Sequence, residues 1–241
     1  MRLRILSYNI HKGIGSGLRD QKKLPLIRDA LHEIQPDIAL LQEVTYRHKG
    51  PTHSQTEFLA KGLWPHFTYG KNDIYSRGHH GNAVLSKFPI LSSENIDISS
   101  SRIERRGILH TTLQIPQLKN PLHILCTHLG LFEFDRKVQI ETLSKRILAH
   151  TDDNGPLIMG GDFNDWREKS TDRLAKSTGL NEIFVTLTKA HAKTFPVWMP
   201  VLRLDRIYFR GVKAVSATRL TSSPWNTLSD HAAILAEFDL A

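Results

Sequence analysis

Twice in this chain an apolar run of strand length leads through a loop into a helix-spaced segment and then into a second apolar run. Leu3 to Asn9 reads as a strand. Leu24 to Ile34 reads as a helix with Leu24, Ile27, Leu31 and Ile34 on one face, and Asp37 to Val44 as a buried strand after the break at Pro36. His123 to Leu129, Phe134 to Ala149 and Pro156 to Asp162 repeat that order. Asn9 and Glu43 close the strands of the first copy 34 positions apart, and His128 and Asp162 close those of the second at the same spacing. Strands alternating with helices predict an α/β protein. Ligands of open α/β sheets gather at the carboxyl ends of strands, so the repeat predicts four polar residues on one rim, in two matched pairs.

Further strands are predicted at Asn82 to Ser86, Gly107 to Ile115, Leu204 to Phe209, Ala214 to Leu220 and Ala232 to Phe238. The alternation of Ile108, His110, Thr112 and Gln114 implies a sheet with unlike faces. So many strands, with helices outside them, suit two packed mixed sheets. No Ser/Gly-rich linker or charge block divides the 241 residues, so a single domain over 1–241 is expected.

Several buried strands end or begin in acids. Leu40-Leu41-Gln42-Glu43 and Leu157-Ile158-Met159-Gly160-Gly161-Asp162-Phe163-Asn164 end so, Asp205 follows Leu204, and Asp230-His231 precedes a further apolar strand. An unpaired buried carboxylate is costly. A divalent cation would balance such acids, and hard oxygen donors suit Mg2+ or Mn2+. Each acid alone reads equally as a cap or an ion-pair partner; the weight lies in their occurring together with Asn9, His128 and Asn164.

Composition narrows the partners. Apolar residues make up 40%, enough for a sizeable core, and the net charge is +8. A basic chain is biased toward polyanions such as nucleic acid, an anionic membrane surface or a phosphorylated metabolite. The one cysteine, Cys126, lies in an apolar run and reads as a buried strand residue. Met1 to Tyr8 goes straight into a strand pattern with no apolar signal region, and no apolar run approaches the roughly 18 residues of a membrane span, so a soluble cytoplasmic protein is expected. Gly13, Gly15 and Gly17 fail as a dinucleotide fingerprint, because Leu18 stands where the third glycine belongs.

The ordered series Tyr8-Asn9-Ile10-His11, Leu41-Gln42-Glu43-Val44, Gly81-Asn82-Ala83-Val84-Leu85-Ser86, Thr127-His128-Leu129, Gly161-Asp162-Phe163-Asn164, Leu204-Asp205-Arg206-Ile207 and Ser229-Asp230-His231 resembles the motifs of the endonuclease/exonuclease/phosphatase superfamily, over almost the whole chain. The resemblance implies a deoxyribonuclease I-like four-layer α/β sandwich and magnesium-dependent hydrolysis of a phosphate ester. By matching motif, Glu43 resembles the principal metal ligand, with Asn9 close by and Asp230 helping. His231 resembles the group that activates water or stabilises the phosphorane, and Asp205 its orienting partner. Asp162 and Asn164 resemble the pair that positions the nucleophile, with Asn164 contacting a phosphoryl oxygen. His128 resembles a phosphate or leaving-group contact. Either Asp162 or His231 fits the role of proton acceptor. Arg106, in Glu104-Arg105-Arg106-Gly107, resembles a phosphate-contacting position, although either arginine also reads as a surface residue. His79 and His80 read as exposed loop histidines. A catalytically dead binding module is disfavoured, since every position that matches carries the expected residue type.

The resemblance leaves the substrate open. The charge favours nucleic acid, and hence an endo- or exonuclease. The apolar segment at 195–202, Phe195-Pro196-Val197-Trp198-Met199-Pro200-Val201-Leu202, fits either peripheral membrane contact, with a phospholipid or sphingolipid-type phosphodiester as substrate, or a lid packed on the core. A small phosphorylated metabolite remains the third class.

Overall fold

Both copies of the repeat fold as a parallel strand pair, and each pair is the centre of its own sheet. The computed structural model describes residues 1–16, 23–48, 54–101 and 104–240; Gly17 and Leu18, weighed above as part of a fingerprint, lie outside them. In chain order the strands are β1 (Arg2–Asn9), β2 (Ile38–Arg47), β3 (His66–Tyr75), β4 (Gly78–Ser86), β5 (Ile90–Asp97), β6 (Gly107–Leu113), β7 (Leu122–His128), β8 (Leu157–Asp162), β9 (Asn181–Glu182), β10 (Asp205–Arg210), β11 (Lys213–Leu220) and β12 (Ala233–Asp239). The helices are α1 (Leu24–Ile34), α2 (Gln55–Ala60), α3 (Glu133–His150), α4 (Lys169–Thr178), α5 (Ile183–Thr188) and α6 (Trp225–Leu228).

One sheet has the order β11-β12-β1-β2-β4-β3 and the other β5-β6-β7-β8-β10-β9. Among the described residues only the central pairs, β1 with β2 and β7 with β8, are parallel. The sheets face each other across a core that includes Leu3, Ile5, Leu40, Ile124, Ile158 and Ile234. Alternate residues of the same strands, among them Leu6 and Leu41, face the helices α1, α2 and α6 instead. On the other sheet Leu125 and Met159 face α3 and α4. Helix, sheet, sheet and helix thus form the four-layer α/β sandwich that the sequence motifs implied. A strand buried on both faces carries apolar residues at nearly every position, which is why β1, β2, β7 and β8 were visible as continuous runs. The sheets approach closely at Gly160, where an added Cβ would meet Leu40 Cδ1 at 2.7 Å and Ser7 Cβ at 3.2 Å.

The repeat is not exact. His128 lies directly beside Asp162 in the β7–β8 register, whereas Asn9 lies beside Gln42. Gln42 turns between the sheets, its amide donating to Leu40 O and Cys126 Sγ. Glu43 is an extra residue in a bulge where β2 meets β4, in the left-handed region at φ 56°, and a bulge of this kind re-aims a side chain. Cys126 is fully buried, as expected, and burial pushes its thiol up to about 12. His79 and His80 depart from expectation: they lie within β4, half-buried and paired with Tyr46 and Thr45, not on a loop.

The outward face of the second sheet carries a buried histidine, His110. Arg146 Nε donates to its Nδ1 at 3.1 Å, and its Nε2 lies 2.9 Å from His123 Nδ1. That arrangement needs a neutral ring, and burial, followed by the charges of His123 and Arg146, lowers its pKa from 6.5 to about 3. The unfolded chain therefore binds a proton that the folded chain refuses as pH falls below 6.5 toward 3. Stability is lost on acidification at up to ~1.4 kcal/mol per pH unit from this group. His110→Asn is expected to lose stability less steeply than wild type between pH 6.5 and pH 4 in urea titrations; parallel slopes would contradict this account.

Candidate active site

The polar residues predicted from the repeat converge because strand directions oppose at one edge of the sandwich. β1, β2, β7 and β8 end there. β10 runs antiparallel to β8 and β12 antiparallel to β1, so their first residues start where those strands stop. Asp205 accordingly lies beside Asp162 in register, and His231 comes two residues before β12.

His231 is held between two carboxylates. Its Nδ1–H donates to Asp205 Oδ2 at 2.9 Å, and its Nε2 lies 3.6 Å from Asp162 Oδ2. All three residues are buried. Burial opposes the imidazolium, but Asp205 and then Asp162 outweigh it and raise the pKa of His231. Burial, reinforced by Asp205, raises the pKa of Asp162 against the pull of His231. The Phe195 ring packs 4.9 Å from the imidazole.

Asp162 is positioned from three further sides. Asn9 Nδ2 donates to its Oδ2 at 3.1 Å and reaches Glu43 Oε1 at 3.4 Å. The Asn164 backbone N–H donates to its Oδ1 at 2.9 Å, an arrangement that holds Asn164 at φ 49°. His128 Nε2 lies 3.4 Å from Oδ2. The Asn164 amide nitrogen donates to Leu129 O at 2.9 Å, and its second N–H faces His128 Nε2 at 3.2 Å. Burial keeps His128 neutral, well below the usual histidine range, with Arg106 and His231 adding to the effect.

Glu43 and Asp230 are less buried. Lys12 Nζ lies 3.9 Å from Glu43, and His11 Nδ1 3.5 Å from Asp230 Oδ1. The Ser229 hydroxyl, 2.7 Å from Asn9 O and 3.3 Å from Asp230 Oδ1, links Asp230 to the group. Arg106 sits inward with Nη2 2.5 Å from Glu104 Oε1, whereas Arg105 is half-exposed toward Asp97. His79 stacks on Tyr46 at 4.8 Å, while the buried Nδ1 of His80 has no partner.

The donor set fits a divalent cation. Among the described residues Asp162, Asp205 and His231 bring ligand-type atoms within 4.8 Å of one another, but the charged imidazole occupies the space between the two acids, so the donors left for an ion are those on the Glu43 side. Asp205 Oδ1 is buried without a hydrogen-bond partner. With Glu43 and Asp230 nearby, four carboxylates share one buried imidazolium and the more distant Lys12. Oxygen-rich, net negative and partly unsatisfied, such a group suits a hard ion.

Sequence reasoning missed several contributors. Thr194 Oγ1 accepts from the Asp205 N–H at 3.2 Å, and Phe195 packs on His231. Both precede Asp205 by about ten residues; Thr194 carries no motif, and Phe195 was read only as the start of the apolar 195–202 segment. His11 and Lys12 come two and three residues after Asn9, and their proximity to Asp230 and Glu43 depends on the short 3-10 turn His11–Gly13. Arg206 is fully buried beneath the site, donating to Asp165 O.

This fold is of the deoxyribonuclease I type. The chain belongs to the Endonuclease/Exonuclease/phosphatase family, whose profile matches residues 6–231; its members are hydrolases acting on phosphate esters. The chain is 42% identical over 248 residues to the protein YbhP of Escherichia coli K12, covering 98% of this chain and 96% of YbhP. An endonuclease/exonuclease/phosphatase from Beutenbergia cavernae shares its fold with a TM-score of 0.87 at 20% identity, over 100% of this chain and 72% of that one. TDP2 of D. rerio, in complex with a single-strand DNA product, superposes with a TM-score of 0.73 at 19% identity, over 99% of both chains.

Asp205→Asn, which keeps the shape of the side chain but removes the charge facing His231, is expected to lower turnover of the diester bis(p-nitrophenyl) phosphate by about a hundredfold or more with the thermal midpoint little changed. Wild-type turnover would show that the Asp205–His231 pair takes no part in the reaction.

Proposed function

We propose that the protein is a divalent-cation-dependent phosphodiesterase, and that the observation carrying this reading is the His231 imidazole held between Asp205 and Asp162 beside Asn9 and Glu43. Glu43 would hold Mg2+ or Mn2+, with Asn9 beside it and Asp230 contributing. The bound ion supplies charge to a phosphoryl oxygen. Asp162, bonded by Asn9 and by the Asn164 N–H, is placed to accept a proton from water, and its raised pKa makes it the stronger base. His231, kept protonated by the two carboxylates, offers an N–H to the negative charge that develops on the phosphoryl oxygens. Asp205 fixes the ring through Nδ1. The Asn164 amide and neutral His128 form the wall facing the phosphoryl group, and Arg106 adds a cation at its edge.

The net charge of +8 supports a polyanionic substrate. Nucleic acid is one such substrate, and the TDP2 structure contains a DNA product. Exposed Trp198 and Met199 in the 195–202 loop favour a second class, a phosphodiester presented by a lipid surface.

Glu43→Gln, and separately excess chelator, are each expected to reduce turnover of bis(p-nitrophenyl) phosphate by about a hundredfold or more, several kcal/mol of transition-state stabilisation at ~1.4 kcal/mol per tenfold. Undiminished turnover in chelator would overturn the cation requirement.

A further inference from the structure

Glu43 stands on backbone that regular strand pairing does not hold. β1 stops at Asn9, and just beyond it the Ile10 N–H donates to Gln42 O at 3.1 Å. On the other side the β2–β4 register slips between Leu41 and Val44. Glu43 lies in that slip with φ 56°, and His11 and Lys12, in the turn after β1, have φ 46° and 57°. Residues other than glycine persist in this left-handed region only where surrounding contacts over-determine them. Gln55 supplies such contacts to both segments. It opens α2, and it is buried. Its Oε1 accepts from the Thr45 N–H at 2.8 Å, and its Nε2 donates to Lys12 O at 2.8 Å. One side-chain amide thus takes the acceptor and donor roles of a backbone peptide group at the place where β1 has ended. Buried backbone groups need such partners. Thr45 lies two residues past Glu43 and Gln42 O one residue before it, so the bulge is pinned on both sides. Tyr69 Oη adds a longer bond to Val44 O at 3.4 Å. Gly13, at φ 74°, closes the fit, since an added Cβ there would lie 3.1 Å from Gln55 Nε2.

We propose that Gln55 is a positioning residue for the candidate active site: by tying Thr45 to Lys12 it holds the Glu43 carboxylate in the pose that takes a divalent cation. The proposal rests on the reading above that Glu43 holds such an ion. The two bonds of the amide serve that pose in different ways. The bond to Thr45 keeps the bulge closed, and a bulge sets the direction of the side chain it carries. The bond to Lys12 O holds the turn that places Lys12 Nζ 3.9 Å from Glu43 Oε2. That separation is too long for a direct hydrogen bond, so Oε2 stays open to an ion while Lys12 remains beside it. Without the brace, both changes act in one direction. The bulge relaxes and re-aims the carboxylate, and Lys12 closes on Glu43 as a competitor of the ion. Neither change touches Asp162, His231 or Asp205, so the loss falls on cation affinity and not on turnover once the ion is saturating.

The test is Mn2+ binding by the full chain, read from the electron paramagnetic resonance signal of the free ion. Turnover of bis(p-nitrophenyl) phosphate against Mn2+ concentration and the thermal midpoint are measured in parallel. Gln55→Met keeps the bulk and offers neither bond. Gln55→Ser leaves space for water to reach the Thr45 N–H and Lys12 O, which spares the fold. Ser54→Ala is the control: it removes the hydroxyl that accepts from the Glu57 N–H at 3.2 Å and so weakens the start of α2 without touching Thr45 or Lys12. Each Gln55 variant is expected to weaken Mn2+ binding by about tenfold, the scale on which groups that orient a metal ligand act. The Mn2+ concentration for half-maximal turnover is expected to rise by the same factor, with turnover at saturating Mn2+ within about threefold of wild type. Ser54→Ala is expected to lower the thermal midpoint and leave Mn2+ binding unchanged. Wild-type Mn2+ affinity in the Gln55 variants would overturn the proposal and leave the Glu43 reading standing. Mn2+ binding weakened as much by Ser54→Ala would also overturn it, by tracing the effect to the stability of α2. Absence of Mn2+ binding by the wild-type protein would overturn the Glu43 reading and this proposal with it.

Discussion

Asp162 and Asp205 are almost wholly buried, and the imidazole between them is what makes that tolerable. Two carboxylates in register at the edge of a sheet cannot both stay ionised in a low-dielectric interior without a cation between them. His231 is that cation, and the architecture converges on holding it. Asp205 opens β10, Asp162 closes β8, and the imidazole arrives from the segment before β12. Thr194, Phe195 and Ser229 fix the three from behind. One imidazolium does not balance every acid at the rim, and the remaining negative charge gives the site its suitability for a divalent ion.

The central strands were legible in the sequence because burial on two faces leaves an unbroken apolar run, and because an acid at the end of such a run stands out. Of the edge strands, β11 was legible at Ala214 to Leu220, but β3, β5 and β9 were not. β3 is mostly half-exposed and β5 almost entirely exposed, so neither carries the alternation that marks a half-buried strand. His79 and His80 were misread for the same reason, since nothing in Gly78-His79-His80-Gly81 distinguishes the start of a strand from a loop. The 34-residue echo located the rim correctly but not its geometry, because the bulge that re-aims Glu43 leaves no mark in residue spacing. The short α2, α5 and α6 were also invisible, each having too few turns for a periodic signal.

The site and its surroundings follow different constraints. Donors and acids at the strand ends are fixed by sheet directions, so any chain with this topology can assemble them. The mouth is built from connecting segments, where sequence is free to vary. Exposed aromatic side chains such as Phe132 and Trp198, and ion pairs such as Arg167–Glu133, can therefore vary without disturbing the pairings beneath.

Strand order has one further meaning. Read outward from each parallel pair, the two sheets are superposable diagrams: β11, β12, β1, β2, β3 and β4 occupy the places that β5, β6, β7, β8, β9 and β10 occupy in the other. The second set is consecutive along the chain, and the first is interrupted only between β12 and β1, which are hydrogen-bonded neighbours with Arg2 opposite Asp239. Joined there and opened between β4 and β5, the molecule would read as two tandem copies of one six-strand unit: a dimer in a single chain, its candidate active site lying on the seam.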